Sequence, residues 1–114
     1  GQAVFARAST AIHNTLTIGA AANVITDPLR IEGLPNVQFW FRNLTAATQV
    51  FITMQFAVNE TDGPVIEWFD LQPQFVLPPN VPTLFQFDLA AKFIRVNTTG
   101  DAVGSTLEVV MMAT

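Results

Sequence analysis

Apolar residues along much of the chain recur at every second position, which is the period of a β-strand with one buried face. Within residues 49–58 this alternation places one apolar series on a common face: Val50, Ile52, Met54, Phe56 and Val58. Shorter series with the same period are Val37, Phe39 and Phe41, and Ile12, Leu16 and Ile18. The period is 2 and not 3.6, so the pattern predicts strands in all three segments.

Further strand candidates are rich in β-branched and aromatic residues. They are Ala3–Ala8, Val24–Ile31, Val65–Leu71, Thr83–Leu89, Lys92–Asn97 and Thr106–Met112. Pro28 cannot donate a backbone hydrogen bond, so its strand is predicted to lie at a sheet edge or to be broken there. Turn-forming residues separate the candidates at 27–28, 33–36, 62–64, 78–82 and 100–104. Short strands with turns at this spacing predict an all-β sandwich or barrel of about eight strands.

The last two strand candidates, Lys92–Asn97 and Thr106–Met112, are predicted to form a hairpin around the turn at 100–104. The apolar run Val109–Met112 breaks strict alternation, as in a strand with both faces buried. Its second face is covered either by the protein's own other sheet or by another subunit. The sequence leads us to expect both kinds of burial.

The composition is unusually poor in charge for 114 residues of which 50% are hydrophobic. Charged residues make up 12% of the chain, about half the usual share of roughly 25%. One domain of this size cannot hide all of its apolar residues, so part of its surface is predicted to be apolar and to mark a contact site. The alternative is a polar but uncharged surface built from Thr, Asn and Gln.

The net charge of −4, with five Lys and Arg residues in total, argues against a nucleic-acid partner, because a phosphate backbone requires clustered basic side chains. Uninterrupted apolar stretches stay well below the roughly 18 residues of a membrane span, and the first ten residues lack the layout of a signal peptide. We therefore expect a soluble chain with no membrane partner. Zero cysteines exclude disulfides, zinc–thiolate sites and thiol catalysis.

Candidate catalytic groups are few. The sole histidine, His13, lies at an outward strand position with no nucleophile motif nearby. Four carboxylates close in sequence, Glu60, Asp62, Glu67 and Asp70, fit solvated loop positions better than a hydrolytic pair. We expect no enzymatic activity, no cofactor and no metal site.

Two tryptophans and a proline-rich connection are the candidate interface features. Trp40 and Trp68 are out of phase with the apolar series of their strands, so one or both are predicted to face the outside of a sheet. An exposed tryptophan there can anchor a protein interface or stack on a sugar, whereas a covering layer would make it plain core. The connection at 78–82 contains Pro78, Pro79 and Pro82, which restrict the backbone and predict a stiff rim loop.

The segment from Thr83 to Leu89, the phrase Ala-Lys-Phe-Ile-Arg-Val at 91–96, the glycine turn and the final strand Thr106–Met112 resemble small jelly-roll decoration (cement) proteins of tailed-bacteriophage heads. The resemblance covers mainly residues 83–114, together with size and composition. The same phrase also occurs in discoidin-like and other sugar-binding sandwiches. The resemblance brings no catalytic or ligand-binding residues with it.

The resemblance implies a single antiparallel β-sandwich of jelly-roll type over residues 1–114. Such a protein sits on the outer capsid surface of a virion, bridges subunits of the major capsid protein and works as a dimer or trimer. The contacts are then expected from residues 1–10 as an N-terminal arm and from Phe5, Trp40, Trp68, Pro78, Pro79 and Pro82. The alternatives are a carbohydrate-binding β-sandwich that uses Trp40 or Trp68 and, less favoured, an enzyme built on the scattered carboxylates.

Overall fold

A computed structural model describes residues 9–59 and 67–114, in which every regular element is a β-strand. The strands are β1 (Thr10–Ile18), β2 (Asn23–Ile25), β3 (Leu29–Arg30), β4 (Asn36–Asn43), β5 (Val50–Ala57), β6 (Phe69–Asp70), β7 (Phe75–Leu77), β8 (Thr83–Asp88), β9 (Phe93–Gly100) and β10 (Ser105–Ala113). The predicted strand Ala3–Ala8, the turn at 62–64, Glu60 and Asp62 lie outside the described residues. Of the expected arm at 1–10, Thr10 is the first residue of β1.

The strands form two antiparallel sheets. Sheet I has the spatial order β1, β10, β4, β8. In sheet II, β9 and β5 are central, β2 and β3 pair with the outer side of β9, and β6 and β7 pair with the outer side of β5. The predicted all-β antiparallel sandwich is confirmed. Residues 9–59 and 67–114 contain ten strands instead of about eight, because both edge positions of sheet II are split into two short pieces. The jelly-roll assignment stays a prediction.

The core lies between the sheets and follows the period-two pattern. Val37, Phe39 and Phe41 of β4 are fully buried, as are Val50, Ile52 and Met54 of β5. Aromatic contacts fill one end of this layer, where the ring centroids of Phe41 and Phe75 are 5.8 Å apart. These two predicted series are confirmed except for Val58. That residue is 50% exposed because β5 ends at Ala57.

The break predicted at Pro28 is confirmed. The chain pairs with β9 as β2, leaves the ladder at residues 26–28 and returns as β3. Thr26 repairs the gap, because its backbone N–H donates to the Val96 carbonyl at 2.9 Å and its Oγ1 accepts from the Val96 N–H at 3.0 Å. This edge of sheet II is therefore short and interrupted.

The predicted hairpin of the last two strands is wrong. β9 pairs with β5 in sheet II, whereas β10 lies between β1 and β4 in sheet I. The link at 101–104 crosses between the sheets and is fixed by Asp101, whose carboxylate accepts from the N–H groups of Gln49, Val103 and Gly104 at 2.8–2.9 Å. These bonds lower the pKa of Asp101 below its ordinary value.

The reading of Val109–Met112 as doubly buried is also wrong. Val109 and Met111 are fully buried in the core, whereas Val110 and Met112 are only half-buried on the outer side of sheet I. β10 therefore alternates regularly, and two of its apolar side chains belong to the surface. The sequence could not show this, because both faces of the strand carry apolar residues.

Candidate functional site

The outer face of sheet I carries an apolar row across three strands. The pairing register aligns Val110 of β10 with Trp40 of β4, and Trp40 with Leu84 of β8. Together with Gln38 and Met112, these residues line a groove of about 220 Å³, called here the Trp40 groove. Leu84 is 58% exposed, more than Val76, Phe69 or Ile25 in the other strands. The outward orientation predicted for Trp40 is confirmed.

Charged groups border the Trp40 groove at the end where β4 and β10 continue to Arg42 and Glu108. Arg42 Nη2 donates to Glu108 Oε1 at 2.9 Å, and Glu108 Oε2 lies 3.2 Å from His13 Nε2. The Arg42 guanidinium also lies 5.9 Å from the centroid of the Trp40 ring. The side chain of His13 is 57% exposed, which confirms its predicted surface position. Glu108 therefore holds the Arg42 guanidinium and the His13 imidazole at the border of the groove.

The rim loop at 78–82 enters β8 directly before Leu84. Pro78 and Pro82 are exposed and Pro79 is half-buried beside Asn43. The Asn80 N–H donates to the Asn43 carbonyl at 2.8 Å, with Asn80 at φ +58°. The fully buried Asn43 donates through Nδ2 to the Thr48 carbonyl at 3.1 Å. The loop is therefore anchored to a buried polar group as well as being restricted by its prolines.

Trp68 lies against the outer side of sheet II. The Arg95 guanidinium is 4.1 Å from the centroid of its ring, well within the range of a cation–π contact. Arg95 Nε donates to Gln55 Oε1 at 2.8 Å, and Gln55 Nε2 donates to Asp70 Oδ1 at 2.9 Å. Partial burial lowers the pKa of Arg95 below its ordinary value. The outward orientation predicted for Trp68 is confirmed, although one side of its ring is occupied by Arg95.

The polar character of this face extends along the neighbouring strands. Asn23 Nδ2 donates to Asn97 Oδ1 at 2.6 Å and to the Thr98 carbonyl at 2.8 Å. Among the outward positions of β5 and β9 are Thr53, Gln55, Arg95 and Thr99. The outer face of sheet II therefore combines amides and hydroxyls with apolar side chains. Val76 pairs with Phe51 and Ile25 with Asn97 on this face, and Val76 and Ile25 are 47% and 42% exposed.

The structure divides the predicted interface residues between two surfaces. Trp40 lies on the outer face of sheet I and the rim loop leads into that sheet, whereas Trp68 belongs to sheet II. Phe5 lies outside the described residues. Sequence reasoning missed Leu84, Val110 and Met112 as neighbours of Trp40. The alternation of β8 with Phe85 and Phe87 signalled the outward phase of Leu84, but only the strand register makes these residues one surface.

The remaining candidate chemistry is sparse in residues 9–59 and 67–114. Within these ranges no three His, Cys, Asp or Glu side chains converge as a metal site. Asp70, one of the four carboxylates considered from the sequence, accepts the hydrogen bond from Gln55. A long apolar helix able to cross a membrane does not occur among the described residues.

No protein-family model matches the chain, and no curated protein matches it significantly. Among solved structures, the chain is similar to the PBSX exported protein XepA, with a TM-score of 0.65 and 11% identity over 91% of this chain. It is similar to a subunit of the Bacillus endospore appendages described as disulfide-linked pili, with a TM-score of 0.54, 17% identity and 98% coverage. A third similar structure is that of the infectious bursal disease virus Gx strain, with a TM-score of 0.51, 10% identity and 93% coverage.

At these identities the shared property is the fold, an all-β sandwich. The chain covers 36% of the XepA chain and 32% of the virus chain, but 93% of the pilus chain. Two of the three structures belong to assemblies, a pilus and a virus. No site residue is transferred from any of them.

Proposed function

We propose that this chain is a structural, non-enzymatic virion protein that decorates the outer surface of a viral capsid and stabilises the shell by bridging major capsid protein subunits. The observation that carries the proposal is the Trp40 groove. Protein interfaces typically have an apolar centre, a polar rim and energetic anchors rich in Trp and Arg. The groove has this arrangement, because Trp40 and Leu84 form its centre and the Arg42–Glu108 pair lies at its border.

The rim loop supports the same role. Its prolines and its hydrogen bond to Asn43 hold the loop in place before any partner binds. A contact surface that is already ordered loses less conformational entropy on association. Since the loop runs into Leu84, it can contact the same capsid surface as the groove.

Comparison with known structures supports the general part of the proposal, a structural role. Of the similar structures, one is described as pili and another is that of a virus. In this chain, the low charge and the exposed apolar residues favour a subunit that works in an assembled state. A dimer or trimer that engages the shell through several copies of one modest contact gains by avidity. Binding to the assembled shell alone then stabilises that shell by mass action.

The test is a binding and heat-stability assay on capsids assembled from the major capsid protein of the same gene cluster. We expect the wild-type chain to co-sediment with the shells and to raise their disruption temperature. Trp40→Ala and Leu84→Ser should each weaken binding by at least about tenfold, the effect of losing an interface anchor. Val103→Ser is the matched control, because Val103 is 73% exposed on the link at 101–104, outside the groove. Equal loss of binding in Val103→Ser, or no binding by the wild type, would contradict the proposal.

A carbohydrate-binding module is the second candidate, and the outer face of sheet II favours it. Trp68 lies beside Gln55, Asp70 and Arg95, side chains that can bond sugar hydroxyls. A glycan-array screen followed by titration of tryptophan fluorescence tests this function. Quenching by a defined sugar that is abolished by Trp68→Ala and retained in Trp40→Ala would favour the module over the capsid role.

A further inference from the structure

Among the described strands, β1 forms an edge of sheet I whose second side is open. Within residues 9–59 and 67–114, β1 pairs with β10 alone. Asn36 and Thr114 exchange two backbone hydrogen bonds, of 3.1 and 2.9 Å, so the even-numbered residues of β10 bond to β4. The odd-numbered residues of β10 therefore bond to β1. By alternation across β10, the even-numbered residues of β1 bond to β10. The N–H and C=O groups of Ala11, His13, Thr15 and Thr17 therefore point to the open side.

This edge lacks the protection that the other edges have. β1 runs for nine residues in continuous register without a proline, a bulge or a charged Lys, Arg, Asp or Glu. By contrast, β8 has six residues, follows Pro82 and ends at Asp88. The edges of sheet II consist of pieces of two or three residues. Proteins normally blunt edges with such features, because a long, regular, uncharged edge invites another strand.

A second observation points to the occupant. Asn14 lies on the inner face of β1 between Ile12 and Leu16, and its Nδ2 is buried without a hydrogen-bond partner among the described residues. A buried amide without a partner is costly, so the position favours a neighbour that supplies an acceptor. The paired position on β10 is occupied by Val109, which offers no side-chain acceptor, so the open side of β1 is where a second strand can supply one.

We propose that β1 pairs antiparallel with β1 of a second copy about a two-fold axis at Asn14, joining two four-stranded sheets into one. Asn14 then stands opposite Asn14 of the second copy in a non-hydrogen-bonded pair, with Cα atoms about 4.5 Å apart and the amides in bonding range. His13 faces Thr15 of the second copy, and Ala11 faces Thr17, so the open backbone groups exchange hydrogen bonds. On the inner face, Ile12 meets Leu16 of the second copy.

The register is selected by the side chains. A shift that centres the axis on His13 places Asn14 opposite Ile12 of the second copy, and a shift to Thr15 places it opposite Leu16. Both shifts leave the amide against an apolar side chain, whereas the axis at Asn14 pairs it with an equal donor and acceptor. The proposed function includes a homo-oligomer, and pairing of β1 with β1 makes that oligomer a dimer; in this respect the pairing rests on the proposed function. The pairing itself does not require capsid binding.

Sedimentation of the full chain without capsids tests the pairing. We expect a wild-type dimer and a folded, monomeric Thr15→Pro variant, because proline removes an N–H that faces the open edge and spares the bonds to β10. Gln86→Pro is the matched control, since it removes an open-edge N–H from β8 in the same sheet and should leave the dimer intact. A monomeric wild type, a trimer, or a dimer lost equally in Gln86→Pro would overturn the inference.

Cross-linking provides a test that does not depend on the proline variants. The chain has no cysteine, so Asn14→Cys introduces a single thiol. In the proposed register, two such residues lie within disulfide range, and oxidation should give a covalent dimer. His13→Cys should not cross-link, because its equivalent in the second copy lies beyond about 7 Å. Cross-linking through His13→Cys and not Asn14→Cys would overturn the register. Failure of capsid binding with an intact dimer would contradict only the proposed function.

Discussion

The outer faces of the two sheets differ although both sheets contribute buried residues to one core. Sheet I presents Val110, Trp40 and Leu84 in one apolar row, whereas the outer face of sheet II mixes the polar pair Gln55 and Arg95 with the apolar pair Phe51 and Val76. Each face has one tryptophan beside one arginine, at 5.9 Å in sheet I and 4.1 Å in sheet II. The difference teaches that the inward residues determine the sandwich, while the outward residues of the same strands determine what it binds.

The largest expected effect separates the two faces of β10. Met111→Ala should lower the free energy of unfolding by about 2–5 kcal/mol, because Met111 is fully buried and its loss leaves a cavity. Met112→Ala should cost less than about 1 kcal/mol, since Met112 is half-buried on the outer face. Urea denaturation of both variants measures the two values. Equal losses would mean that the outer face of sheet I is covered as fully as the core.

A second prediction concerns the link that joins the two sheets. Gly104 has φ +94°, and an added Cβ would lie 2.6 Å from the Ile18 carbonyl oxygen. Gly104→Ala should therefore combine the cost of a positive φ, about 1–2 kcal/mol, with a backbone clash. Gly33→Ala is the control, because Gly33 has φ +84° but open space around the added atom. Thermal denaturation should show the larger loss for Gly104→Ala, and equal losses would refute the clash.

A third prediction sharpens the contrast between the two tryptophans. Arg95→Ala removes the guanidinium over Trp68 and the hydrogen bond from Arg95 to Gln55, which in turn bonds Asp70. The free energy of unfolding should fall by roughly 1 kcal/mol or less. In a Trp40→Phe background, acrylamide quenching of Trp68 should rise. Arg42→Ala in a Trp68→Phe background should change quenching of Trp40 less, because its guanidinium lies farther from the ring. The reverse order would contradict the assigned contacts.

The smallest effect is a pH dependence at the same link between the sheets. Because hydrogen bonds lower the pKa of Asp101 in the folded state, its carboxylate stabilises the fold above the ordinary carboxyl pKa. That contribution is lost as pH falls through the lowered pKa. Asp101→Asn should thus be less stable than wild type at neutral pH, with a difference that shrinks on acidification. A difference independent of pH would show that the charge of Asp101 is not involved.

Local patterns predicted the fold class and the inward series well, because a period of two follows from strand geometry alone. The positions of Val37, Phe39 and Phe41 needed no knowledge of their neighbours. The pairing of strands could not be predicted in this way: β9 and β10 are close in sequence but lie in different sheets. The Trp40 groove escaped prediction for the same reason, since Trp40, Leu84 and Val110 become neighbours only through the register of three distant strands.

The central place of β10 in sheet I also determines when that sheet can form. β1 and β4 have no ladder with each other and are joined by β10, which follows β4 by about sixty residues of chain. During synthesis β4 can pair with β8, but β1 has no ladder partner among the described strands until β10 leaves the ribosome. Folds that depend on such distant pairings form slowly and expose unpaired strands while they do so. We therefore expect chains truncated before β10 to aggregate instead of folding partially.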